Sequence, residues 1–163
     1  MLVGVVSDTH NNLKNIRQIV SIFNERNVGS VFHTGDITTA KSLAEFSDLK
    51  CDLFLVYGNN DREESGLDKV AEKFGFHVQE PPMKIFMHNK NIAVFHEPEL
   101  IDQFLKINVD IQLVLHGHTH RYRKENLDDT LIFNPGESAG MLSGKNAVGI
   151  VDLEDLSIQR IFF

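Results

Sequence analysis

Seven residues of metal-ligating type stand where apolar runs break off: Asp8 and His10 after LVGVV, Asp36 after SVFH, Asn59 after DLFLVYG, His96 closing IAVFH, and His118 and His120 after IQLVLH. Imidazole nitrogens with carboxylate and amide oxygens, and no thiolate, suit borderline divalent ions such as Mn, Fe, Co, Ni or Zn and suit calcium poorly. Seven ligands are too many for one tetrahedral zinc. Shared between two ions with one bridging carboxylate, they give each ion four protein groups and leave positions for water and substrate. Two divalent cations set against Asp8, Asp36 and a bridging hydroxide leave a charge of roughly +1, enough to draw a phosphate to an acidic protein. Ions ~3.5–4 Å apart hold such a hydroxide, lower the pKa of its parent water to about 7 and clamp phosphate oxygens for in-line displacement. No protein nucleophile is needed, and the chain carries no GxSxG elbow, Walker A loop or Cys-based signature.

Residues so far apart meet only if the fold brings strand ends together. Short apolar runs read as buried strands, and the loops leaving the C-terminal ends of strands in an open sheet build its site. After residues 2–6, Leu13, Ile16, Ile19, Val20 and Phe23 recur at helical spacing, and strands near 30–33 and 52–57 follow. This βαβαβ pattern implies a parallel sheet. Further helices are expected over 39–47, around Leu67, Val70, Ala71 and Phe74, and from Pro98 through Leu105. From residue 84 the pattern turns antiparallel: KIFMH and IAVFH flank a turn at Asn89-Lys90-Asn91, and RYRKENL, the turn Asp128-Asp129, TLIFN, AVGIVDL and SIQRIFF read as an antiparallel set. The expected fold class is α/β, a layered α/β/β/α sandwich of two mixed sheets with flanking helices and the metal site at strand C-terminal ends.

Length and composition agree. A chain of 163 residues, 42% hydrophobic, is of single-domain size with a substantial core, and no repeat or proline-rich linker divides it, so residues 1–163 are expected to form one domain. The net charge of −7 argues against binding a nucleic-acid polymer or an anionic membrane. One cysteine, Cys51, rules out an intramolecular disulfide, and no leader or long apolar span is visible, so the cytoplasm is the expected compartment. Cys51 itself is expected to be a buried, inert thiol.

SDTH at 7–10, TGDI at 34–37, GNND at 58–61, His96 and GHTH at 117–120 resemble, in order, the five motifs of the calcineurin-like metallophosphoesterases, and the likeness runs over residues 3–138, including NPGES at 134–138. The short chain without inserted lids is most similar to the small bacterial and archaeal phosphodiesterase branch. The resemblance implies that Asp8, His10, Asp36 and His120 hold one ion, that Asp36, Asn59, His96 and His118 hold the other, and that Asp36 bridges them. It implies a small phosphodiester as substrate and two divalent ions, manganese or nickel first, as cofactors. Alternatives of the same fold are a phosphomonoesterase and a protein-interaction scaffold like the retromer subunit.

Many relatives place a histidine directly after the metal-binding asparagine; here that residue is Asn60, which can donate a hydrogen bond to a phosphoryl group but no proton. Glu97 stands where relatives have glycine, as an imidazole brace, a charge repelling substrate or a helix-start residue. Asp61 reads as a residue bracing its loop, and Arg62 as a phosphate contact or a solvated side chain. His33, His77 and His88 lie outside the motifs and are expected to be structural or on the surface. His116 is expected to be structural, with orientation of a ligand as its other role.

Overall fold

The computed structural model describes residues 1–141 and 144–163. The first half follows the expected alternation: β1 (Leu2–Val6), α1 (Leu13–Glu25), β2 (Ser30–His33), α2 (Ala40–Ala44), β3 (Asp52–Val56), α3 (Leu67–Phe74) and a short β4 (His77–Gln79). The second half contains β5 (Met83–Met87), β6 (Lys90–Val94), α4 (Ile101–Ile107), β7 (Leu113–Leu115), β8 (Arg123–Leu127), β9 (Thr130–Asn134), β10 (Ala147–Asp152) and β11 (Ile158–Phe162). A six-stranded sheet runs β11-β10-β1-β2-β3-β4, and a five-stranded sheet runs β5-β6-β7-β9-β8. Both are mixed. β1 through β4 pair in parallel, whereas β10 is antiparallel to β1 and to β11. In the second sheet β6-β7-β9 is parallel, with β5 and β8 antiparallel at the edges.

Three apolar layers hold the sandwich together. Val3, Val5, Phe32, Val94, Leu113, Leu115 and Phe133 pack between the sheets. The alternate residues of the first sheet, such as Val31, Leu53 and Leu55, pack with Ile16, Ile19 and Phe23 of α1. Ala93, Val114 and Ile132 pack with Ile101 under α4. Each side chain of this size contributes roughly 1.5–3 kcal/mol on full burial, so a polar replacement in any layer would be felt. α1 begins where Asn12 caps it, its side chain accepting from the Asn15 N–H at 3.1 Å, an interaction typically worth ~1 kcal/mol.

Several local expectations are corrected. The antiparallel C-terminal set is split: β8 and β9 join the second sheet, while β10 and β11 complete the first. The hairpin turn lies one residue earlier than expected, at His88-Asn89, whose φ angles of 48° and 59° and the Met87–Lys90 register describe a two-residue primed turn. The helix expected over 39–47 is α2 followed by a 3₁₀ turn at Glu45–Asp48. α4 starts at Ile101, not at Pro98. Cys51 is half-buried, packed against the core, and burial followed by the Asp52 charge pushes its thiol up, so it stays protonated. Among the described residues no helix is long and apolar enough to cross a membrane.

Candidate metal centre

The parallel strands deliver the candidate ligands to one rim. Asp8 and His10 follow β1, Asp36 follows β2, Asn59 follows β3, His96 follows β6, and His118 and His120 follow β7. Asp36 lies at the middle and is nearly fully buried. Its Oδ1 lies 3.4 Å from His96 Nε2 and its Oδ2 lies 3.8 Å from His10 Nε2, so its two oxygens face histidines from different strands. On one side Asn59 Oδ1 lies 3.0 Å from both His96 Nε2 and His118 Nδ1. On the other, His120 Nε2 lies 3.6 Å from Asp8 Oδ1. The ligand atoms of Asp8, His10 and His120 are within 4.8 Å of one another, and so are those of Asp8, Asp36 and His96.

Two observations fit divalent metal here. Donor atoms bound to one ion at ~2.1 Å lie roughly 3.0–3.5 Å apart around it, which is close to the spacing of these groups. His10 Nε2 is buried and, among the described residues, has no hydrogen-bond partner, although it faces a carboxylate oxygen. A buried orphan nitrogen is costly unless something else binds it.

Electrostatics set the protonation a metal would meet. Burial would raise Asp36, but hydrogen bonding from His96 and Asn60 outweighs it and holds the carboxyl well below the usual carboxylate range. Burial raises Asp8, against the opposing pull of the Ser7 hydroxyl, which donates to Asp8 Oδ2, and of His96 and His120. Burial lowers His96, yet Asp36 and Asp8 together bring it above its ordinary value. A metal held here would compete with a proton for the His96 imidazole.

Five of the seven candidate ligands sit on unusual backbone. Asp8, His10, Asp36, His118 and His120 have φ of 50°, 44°, 61°, 66° and 55°, the left-handed region where side chains other than glycine cost roughly 1 kcal/mol or more each. Surrounding hydrogen bonds hold it there. The Asp61 carboxylate, buried, accepts from the N–H groups of Asp36, Thr38 and Gly58, each at 2.7 Å, and so ties the Asp36 and Asn59 loops together. His118 N–H donates to Asp8 Oδ1 at 3.2 Å. Gly35 has φ of 102°, and a Cβ there would run into the His96 ring and the Gly58 nitrogen; one at Gly58 would overlap the Asp36 carboxylate. Close packing of the two loops requires glycine at both positions.

The other singled-out residues fall into place around this centre. Asn60 donates from its backbone to Asp36 Oδ1 at 3.0 Å and from its amide to Asp36 Oδ2 at 2.8 Å. Among the described residues Glu97 pairs with no imidazole: it forms a two-pronged pair with Arg62 at 3.2 and 3.4 Å, while Arg62 Nε reaches Glu80 at 3.4 Å. His77 stacks on Phe54 at 4.6 Å, and His88 is in the hairpin turn. His116 is buried beside the site, its Nδ1 hydrogen-bonded to the Gly117 carbonyl at 3.1 Å, and burial lowers its pKa to about 4.

His33 has more to do than the sequence suggested. Its Nδ1 accepts from Gly35 N–H at 3.2 Å, which leaves Nε2 as the donor to Thr9 Oγ1 at 2.9 Å, so one neutral ring braces the loops after β1 and β2. Burial, then the positive potential of His96, lowers its pKa to about 3. Above pH 6.5 the ring is neutral in folded and unfolded chains alike and its contribution is whole; below 6.5 only the unfolded chain takes the proton, and stability is lost as pH falls toward 3. From pH 7 to 5 this costs about 2 kcal/mol. In chelator, His33→Gln should show a shallower fall of unfolding free energy between pH 7 and 5 than the parent; equal slopes would mean that His33 is not buried as a neutral ring.

With fold and site in view, the chain belongs to the calcineurin-like phosphoesterase superfamily, whose domain model matches residues 1–156. Among particular proteins it is similar to a phosphodiesterase of Methanocaldococcus jannaschii, 34% identical over 99% of this chain and 98% of that one. A solved archaeal phosphodiesterase superposes with a TM-score of 0.88 at 32% identity over the whole of both chains. Vps29 of Entamoeba histolytica, crystallised with zinc, shares the fold alone, with a TM-score of 0.71 at 16% identity over 99% of each chain.

Proposed function

We propose that this chain is a metal-dependent phosphodiesterase that hydrolyses a small phosphodiester at a dinuclear centre, with Asp8, His10, Asp36 and His120 holding one ion and Asp36, Asn59, His96 and His118 the other. The observation that carries this reading is the placement of Asp36, whose two oxygens face His96 and His10 separately, as a bridge between two sites requires. When bound, divalent ions lower the pKa of coordinated water to about 7 and neutralise charge on the phosphate. Manganese and nickel are the proposed ions: the set mixes four imidazoles, which suit nickel, with carboxylate and amide oxygens, which suit manganese. The full-length likeness to an archaeal phosphodiesterase supports a diester substrate. The reading treats residues 1–163 as one domain, in the cytoplasm, consistent with its single cysteine.

The chain's own groups do the positioning. Asn60 spends one amide N–H on Asp36 and has a second for a non-bridging phosphoryl oxygen. As water's oxygen bonds to phosphorus the ester P–O bond breaks, and the leaving oxygen must take its proton from solvent, because Asn60 has none to release. Diesters with acidic alcohols are therefore the better substrates.

Metal analysis combined with a panel of aryl diesters, alkyl diesters, monoesters and cyclic nucleotides tests the assignment, and aryl diesters should lead. A clear preference for monoesters would replace the diesterase reading with a phosphomonoesterase; no turnover of any ester by metal-loaded protein would favour a scaffold. Asn60→His should raise turnover of alkyl diesters more than that of aryl diesters, toward the ~10²–10⁴-fold that general acid catalysis supplies. An equal change on both substrates with metal content intact would mean that position 60 does not face the leaving oxygen or that another residue already supplies the proton.

A further inference from the structure

The segment NPGES at 134–138 has no part in the chemistry above, yet its first residue is buried against the loop that carries two of the proposed ligands. Asn134 ends β9 and is fully buried. Its Nδ2 donates to the Gly117 carbonyl at 3.0 Å and to Thr119 Oγ1 at 3.3 Å, and its Oδ1 accepts from Gly136 N–H at 2.8 Å. The Gly117 carbonyl also receives the Thr119 N–H at 2.8 Å, so the carboxamide closes a turn that has His118 at its centre and His120 immediately after it. Both histidines are in left-handed backbone, a conformation that persists only where its surroundings over-determine it. Three residues on, Glu137 brings a buried carboxylate to 3.9 Å from His120 Nδ1, on the opposite side of that ring from the Nε2 that faces Asp8.

We propose that Asn134 is a positioning residue of the metal centre: its carboxamide fixes the 117–120 turn in the shape that aims His118 and His120 at their ions. The inference rests on the ligand assignment made above. The energetic logic is that of a buried amide with both kinds of group engaged. Removing it takes one donor from the Gly117 carbonyl, the link to Thr119 and the acceptor of the Gly136 N–H, and frees two strained residues to relax, which swings imidazoles from two different ion sites at once.

The test is metal affinity rather than turnover. Manganese binding is measured by competition with a chromophoric chelator for the parent, Asn134→Ala, Asn134→Asp, Thr119→Val and Thr119→Ser, alongside the melting temperature of each metal-free protein. Asn134→Ala should weaken binding at both ions by ~10–100-fold, the usual cost of losing a group that orients metal ligands. Asn134→Asp should be as weak or weaker, because a carboxylate keeps the acceptor for Gly136 but has no donor for Gly117. Thr119 is exposed, so its replacement leaves the core intact; Thr119→Val should lose several-fold and Thr119→Ser should recover it. Ile132→Val, a core change on the same strand, should lower the melting temperature and leave affinity alone.

Parent-like affinity in Asn134→Asp or Asn134→Ala overturns the proposal. Should those variants fail to fold, parent-like affinity in Thr119→Val overturns it. A parent protein that binds no divalent ion removes the ligand assignment and this inference together, whereas tight binding in parent and variants alike removes only the role of Asn134.

Discussion

Asp36→Ala should lose both ions and, with them, all measurable turnover. The cost should exceed the ~10²–10³-fold typical of a single preorganised donor, because the whole charge-stabilising apparatus leaves at once. The expectation rests on geometry: Asp36 is the residue whose oxygens face His96 on one side and His10 on the other, and Asn60 is held by the same carboxylate. His120→Ala and His96→Ala remove proposed ligands from opposite sides and should each weaken mainly one site. Elemental analysis of metal per chain after gel filtration separates the cases. Two tightly held ions in Asp36→Ala would refute the bridge and leave the superfamily assignment standing.

Stripping metal with a chelator should abolish phosphoesterase activity, and re-adding manganese or nickel should restore it. The groups that converge at the rim are mainly carboxylates, imidazoles and an amide, of the type that ligates metal, and the sequence carries none of the motifs that mark an activated protein nucleophile. Binding should also weaken below about pH 6.5, where imidazoles take up protons, and His96, whose neighbours Asp36 and Asp8 favour its protonated form, should be the first to compete with the ion. Activity in rigorously metal-free protein, or metal content unchanged at pH 5, would contradict the mechanism.

The sandwich was legible in the sequence, and so was the convergence of the candidate ligands on one rim, because one physical rule covers both. Parallel strands buried on two faces must be apolar throughout, so LVGVV, SVFH and DLFLV stand out, and a polar residue just past such a run is at a sheet's functional edge. The same rule applied to TLIF would have singled out Asn134, but an asparagine followed by Pro-Gly reads first as a turn. His33 escaped for a related reason. It is the last residue of β2, inside the run and not beyond it, and its work depends on Thr9 and Gly35, which only the pairing of β1 with β2 brings close.

Other features were hidden because they are nonlocal. Nothing in AVGIVDL or SIQRIFF records that β1 has a free edge for β10 to fill, so a local hairpin pattern could not say which sheet the hairpin joins. Arg62 and Glu97 are 35 positions apart, and their pairing follows from the adjacency of the loops after β3 and β6. The start of α4 depends on where the chain leaving His96 can turn, and no capping side chain marks it.

Five candidate ligands on left-handed backbone also define how this chain could drift. At each of those positions glycine would satisfy the backbone better than aspartate or histidine does, so the candidate ligand set stands against the scaffold's own backbone preference. A lineage that ceased to need the chemistry would meet little backbone resistance to losing the three histidines, whereas Asp8 and Asp36 also serve as buried hydrogen-bond acceptors and would be lost less readily. The architecture thus separates into a durable frame and an expendable reactive lining, which makes the identity of these few rim residues, more than the fold, the thing to inspect when asking whether a chain of this shape still turns over phosphate esters.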